Sequence, residues 1–114
     1  MFELTFNGYH PLSEEQLNKH VPASPGVYIL AIRLPNGVHR NFYTSQSDNL
    51  HESLRKLLAH DRTHLPFSAQ LCMEKFRTYF TFFVILDREY HERFEKMLTQ
   101  TLDPVSKLTV LNAA

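Results

Sequence analysis

Apolar and polar positions change period several times along this chain, and each change marks an element. Phe2, Leu4 and Phe6 alternate with Glu3 and Thr5, the period-two pattern of a short strand, until Asn7-Gly8 breaks it. Ser13-Glu14-Glu15-Gln16 has the layout of a capping box and predicts a helix of about two turns ending near His20. Pro22, Pro25 and Gly26 lead into a strand from Val27 to Leu34, and a return strand runs from Val38 to Thr44. Between them stands Asn36-Gly37, the strongest short-range hairpin signal, because a type I′ turn needs positive φ at both central residues. Such a turn pairs Pro35 with Val38, Leu34 with His39 and Leu30 with Tyr43. Alternation then puts Val27, Ile29, Ala31 and Phe42 on one face, and Tyr28, Leu30, Ile32 and Tyr43 on the other. Both faces are apolar, so both are expected to be covered.

Beyond the hairpin the period lengthens. Ser47 or Asp48 is expected to cap a helix in which Leu50, Leu54, Leu57 and Leu58 recur at helical spacing up to His60. Pro66 interrupts, and Phe67 to Phe76 reads as a second short helix carrying Phe67, Leu71 and Cys72. Tyr79 to Leu86 is dense in aromatic and β-branched residues, as a well-buried strand is. A last helix starts near Asp87, with Tyr90, Phe94, Met97, Leu98 and Thr101 inward, and stops at Pro104. The order of hairpin, helices, strand and helix predicts an α+β fold in a single domain spanning residues 1–114.

Composition narrows the function classes. The chain has 114 residues with 43% hydrophobic content, enough for one core. Its formal charge is zero, from 12 basic and 12 acidic side chains, so affinity for nucleic acid has to come from a local patch. Cys72 is the lone cysteine, which excludes an internal disulfide, suits a reducing cytoplasmic compartment and reads as a small core residue. No apolar run reaches the length of a membrane span, and the first residues lack the basic-then-apolar layout of a signal peptide; no membrane role is expected.

Candidate chemistry begins with Tyr28 and Tyr43, two phenols one diagonal step apart on one sheet face. Around them stand Pro25-Gly26-Val27-Tyr28, Tyr43-Thr44-Ser45-Gln46-Ser47, Asn49-Leu50, Leu54 and His60. Later come Glu95-Lys96-Met97-Leu98 and Pro104. In order and spacing these pieces resemble the GIY-YIG nuclease superfamily, over about residues 21–104, with residues 1–20 as an N-terminal extension. The resemblance implies a small three-stranded antiparallel sheet flanked by helices, and phosphodiester hydrolysis with one divalent ion. In it Tyr28 serves as base or proton relay, Tyr43 lines the site, and Glu95 holds the ion, Mg2+. A hard cation suits that carboxylate and keeps its waters.

Three positions depart from the family pattern. Where the family has an arginine on its first helix this chain has Ser53, which cannot make a two-pronged contact with phosphate. Losing one such electrostatic donor costs on the order of 10²–10³ in rate. Arg55 lies about 200° round the helix from Ser53 and points away, whereas Lys56 is roughly 60° off and one turn along. Lys56 is the better replacement; His39, expected on the face of Tyr43, is the other. Ser45 stands in place of a family glycine, and Lys107 in place of an asparagine.

Other residues read more plainly. His60 and His64 are four apart, but Pro66 and the lack of a third ligand nearby make them read as loop or helix-end histidines. Arg33 and Arg40 are expected to oppose each other across the hairpin, away from the tyrosines, splaying into water.

Three functions follow from the resemblance and its departures. One is a nuclease-like domain with weakened or lost hydrolysis that binds the DNA backbone or regulates. The second is an active Mg2+-dependent DNA endonuclease in which Lys56 or His39 replaces the arginine. The third is a protein-interaction module that keeps only the fold, binding a protein partner or a second copy as a homodimer. The first 20 residues are too few for a separate DNA-reading domain; they are expected to cap the sheet or mediate dimerisation.

Overall fold

In the computed structural model, which describes residues 8–59, 62–93 and 95–96, β2 (Gly26–Arg33) and β3 (His39–Ser47) form the antiparallel hairpin, and β4 (Thr78–Val84) pairs with the other side of β2. Residues 26–32 of β2 are all buried, as its central place requires. The expected strand over residues 2–6, and His60, Phe94, Met97, Leu98, Thr101, Pro104 and Lys107, lie outside the described residues.

The sheet has four strands where three were expected, in the order β1-β4-β2-β3. The added strand, β1 (His10–Pro11), pairs antiparallel with Tyr79 and Phe80, and Leu12 N–H donates to the Thr78 carbonyl at 2.9 Å. It covers part of an edge of β4 that would otherwise present unpaired backbone groups, and Pro11 is tolerated there because an edge strand can spare an N–H. Two residues carry no periodicity, so the sequence pattern could not reveal this strand.

The hairpin turn also differs. Leu34 N–H donates to Val38 at 2.8 Å and Gly37 N–H to Leu34 at 2.9 Å, so Pro35 and Asn36 are the central pair. Pro35 is pre-set for the first central position of a type I turn, and Gly37 follows at φ 87°. Asn36 Oδ1 accepts from Val38 N–H at 3.0 Å. This three-residue loop moves the register by one position, so Arg33 lies opposite His39, Ile32 opposite Arg40 and Ala31 opposite Asn41. A bulge between Leu30 and Ala31 then admits Phe42 as an extra residue and restores Leu30 opposite Tyr43.

Three placements change as a result. Arg40 joins the tyrosine face, His39 joins Arg33 on the opposite face, and the two arginines do not oppose each other. Phe42 packs with Tyr28, Leu30 and Ile32, and not with Val27 and Ile29.

α1 (Glu14–His20), α2 (Leu50–Leu58) and α3 (Phe67–Lys75) cover the tyrosine face, where Leu17, Leu50, Leu54, Leu57 and Cys72 pack on Tyr28, Leu30 and Phe80. The opposite face has a smaller cluster of Val27, Ile29, Phe83 and Ile85 with Tyr90 against it, so both faces are covered as expected. Ser13 caps α1 by accepting from Gln16 N–H at 3.3 Å. The cap of α2 is Asn49, accepting from Glu52 N–H at 3.1 Å, and neither Ser47 nor Asp48; Ser47 still belongs to β3. In α3 the buried stripe is Ala69, Cys72 and Met73, and Phe67, about 200° from Ala69, is 74% exposed and not inward.

After β4 a 3₁₀ turn (Arg88–Tyr90) leads into helical residues 91–93 and 95–96. No helix among the described residues is long and apolar enough to cross a membrane.

Candidate active site

Four chain segments meet at the end of the hairpin nearest α2. Gly26 opens it: a Cβ there would lie 2.0 Å from the Phe83 carbonyl oxygen and 3.0 Å from Leu50, so only glycine lets β2, β4 and α2 approach this closely. Two residues on, Tyr28 is 2% exposed, and its ring centroid lies 6.2 Å from that of half-buried Tyr43, at 52°.

Ser45 stands opposite Tyr28 in the register and shares a hydrogen bond with its hydroxyl; Ser45 Oγ also reaches the Gln46 carbonyl at 3.3 Å. Ser45 therefore holds the first phenol. From the last helix, the Glu95 carboxylate accepts from both the backbone N–H and the side-chain amide of Gln46, and it lies close enough to act on the ionisation of Tyr28. Tyr28 and Tyr43 thus meet on one sheet face, and Glu95, from the segment after β4, reaches Gln46 of the neighbouring strand.

Burial pushes the Tyr28 phenol well above the ordinary tyrosine range; Tyr43 and Glu95 add to the rise, and the Ser45 hydrogen bond opposes it. The hydroxyl therefore keeps its proton at neutral pH, which suits a donor or relay and makes it a poor base. Burial also raises the Glu95 carboxyl above its usual range, with Glu92 in the same direction, against the two lowering hydrogen bonds from Gln46.

Beside this corner lies an open groove of about 410 Å³ lined by Gln46, Ser47, Asp48, Glu52, Ser53 and Lys56. Ser53 Oγ is 2.6 Å from Ser47 Oγ, and Ser47 Oγ accepts from Asn49 N–H at 3.0 Å. Ser53 is thus closed into a hydroxyl pair at the strand-to-helix junction. Lys56 lines the same groove, whereas Arg55 is exposed and does not.

His39 leaves the candidate set. It stacks on Tyr9 at 4.5 Å and meets Tyr79 edge-on at 4.8 Å, on the face away from Tyr43. Its imidazole is pushed down by burial and then by Arg33. The three-residue turn moved it there.

Three residues of this neighbourhood were not read as site residues from sequence: Ser45, Gln46 and Ser47. Pairing Leu30 with Tyr43 already implies Ser45 opposite Tyr28, so that partner was available from the register. Gln46 and Ser47 gave no signal, because their partners Glu95 and Ser53 come from other elements.

Among the described residues no three His, Cys, Asp or Glu side chains group to hold a metal ion. The Glu95 carboxylate is a hard ligand, which fits Mg2+ as an ion that takes its remaining ligands from water and substrate phosphate. Searches against family models, characterised proteins and solved structures return no match to this chain.

Proposed function

We propose that this chain is a divergent GIY-YIG nuclease-like domain that holds a DNA backbone at the Tyr28–Tyr43–Glu95 corner, with phosphodiester hydrolysis weakened or lost. The observation that supports this reading is the meeting of the Tyr28 and Tyr43 rings on one sheet face, with Glu95 bonded to Gln46, a residue that also lines the adjoining groove. Packing alone gives no reason to bury a phenol beside a second phenol and a serine, within the field of a carboxylate whose own ionisation is disfavoured.

In this reading Tyr28 donates a hydrogen bond to the phosphate or relays a proton, and Tyr43 lines the approach. Lys56 and Arg40 contact neighbouring phosphates as point charge and fork. Glu95 would hold Mg2+, which when bound stabilises charge developing on the phosphate. Weakened turnover follows from Ser53: it offers a neutral hydroxyl already paired with Ser47 where an arginine would stabilise the transition state. Asp48 and Glu52 line the groove with Lys56, so it has no cationic excess, and phosphate affinity should be modest.

A second reading, an active Mg2+-dependent endonuclease, is favoured by one observation: Lys56 shares the groove with Ser53 and is placed to replace the missing charge. A plasmid-nicking assay with Mg2+ or Mn2+, run beside a DNA-binding assay, separates the two. Binding with little or no Glu95-dependent nicking supports the first reading. Nicking abolished by Glu95→Ala and Lys56→Gln supports the second. Neither binding nor nicking on duplex, branched or single-stranded DNA removes both.

A further inference from the structure

We infer that His91 is a positioning residue that sets the place of Glu95, through a hydrogen bond from its buried imidazole to the Ile85 backbone. This rests on the reading of Glu95 as the site carboxylate. His91 is 2% exposed, and its Nε2 lies 2.6 Å from the Ile85 carbonyl oxygen. A carbonyl only accepts, so Nε2 carries the proton and the tautomer is fixed by this contact.

The contact forms one link in a chain of them. Ile85 N–H donates to the Pro25 carbonyl at 3.0 Å, immediately before Gly26 and the strand that carries Tyr28. Asp87 then turns the backbone, accepting from Glu89 N–H on its side chain at 3.1 Å and from Tyr90 N–H on its carbonyl at 3.1 Å. His91 hooks the start of the helical segment back onto Ile85. Glu95 comes four residues later, so the two side chains leave the same helix face one turn apart. The far end of the tether is the bond from Gln46 to the Glu95 carboxylate. A helix held at His91 and reporting at Glu95 has its carboxylate aimed by the imidazole. Tyr90, beside His91 in this segment, packs on the Val27–Ile29 cluster of the opposite face.

The test is amide hydrogen exchange by NMR on the full chain, read at the Gln46 backbone N–H and needing no nucleic acid. Failure of the DNA-binding reading and failure of this inference are therefore read out separately. Glu95→Ala gives the reference for a lost carboxylate. His91→Leu keeps volume and removes the donor, His91→Asn shortens the donor's reach, and His91→Gln keeps a donor near the position of Nε2. The expected result is Gln46 exchange in His91→Leu and His91→Asn accelerated to the Glu95→Ala rate. His91→Gln should stay within a few-fold of wild type, and Ile29 and Leu30 should keep their protection in every variant. If His91→Leu does not fold, the Asn and Gln variants decide. Unchanged Gln46 exchange in His91→Asn overturns the inference. So does loss in His91→Gln equal to that in Glu95→Ala, or a fall at Ile29 and Leu30 in step with Gln46, which marks a merely structural role.

Discussion

Ser53 and Ser47 share a 2.6 Å hydrogen bond across the junction between β3 and α2. The pair does local structural work, because Ser47 Oγ also accepts the Asn49 N–H at the head of the helix. An arginine at position 53 has to break it. Ser53→Arg is expected to lose about 1 kcal/mol of stability, the net worth of one partly buried hydrogen bond. It should also tighten DNA binding and raise any metal-dependent nicking on the order of 10²-fold. Urea melts and a plasmid assay on the same preparation check both effects, and an arginine that changes neither binding nor nicking counts against the site.

Gly26 is fixed by space. A methyl group there would sit 2.0 Å from the Phe83 carbonyl oxygen, and a backbone atom cannot swing aside as a side-chain tip can. Gly26→Ala should destabilise the fold by roughly 1–3 kcal/mol or more, as overpacking does. A melting temperature equal to wild type would mean the three elements are looser than described.

The raised Tyr28 phenol makes a pH prediction. Its folded ionisation lies above the unfolded one, so its contribution to stability is intact below the ordinary tyrosine pKa of 10.0 and drains away as pH rises beyond it. Wild type should therefore lose stability above that pH more steeply than Tyr28→Phe, in denaturant melts at matched ionic strength. Parallel curves would show that the phenol is ordinary.

Glu95 should behave in the same sense at lower pH. Its carboxyl is raised, chiefly by burial, so its stabilising contribution is full below the ordinary value of 4.5 and is lost as pH climbs through the folded value. At neutral pH the ionised group is held against its preference, and Glu95→Gln should melt higher than wild type there, with the gap closing on acidification. A site that gives up stability for a charge in place is a mark of function. A lower-melting Glu95→Gln at neutral pH would make the carboxylate structural.

How far the sequence could be read depends on the distance over which each feature is specified. The Ser13 cap, the Leu50–Leu54–Leu57 stripe and the tyrosine pairing are local or period-bound, and they appear as read. Pro35 decided the turn, and weighing Asn36-Gly37 alone gave a two-residue loop and a register off by one near the tip. The Phe42 bulge cancelled that error before Tyr43, so the phenols were placed correctly while His39 and Arg40 were exchanged between faces. The bonds from Gln46 to Glu95 and from His91 to Ile85 join elements in ways no period encodes.

The exchange of faces gives the most direct measurement of the central claim, that this corner binds a phosphate backbone. Lys56 lines the groove and Arg40 lies on the tyrosine face, whereas Arg33 lies on the other. DNA binding should be titrated with salt for wild type, for Lys56→Gln with Arg40→Gln, and for Arg33→Gln. The account predicts a linear fall of log K with log salt in wild type, a slope shallower by about two in the double variant, and no change in Arg33→Gln. A flat salt response in wild type, or a slope that only Arg33→Gln alters, would contradict it.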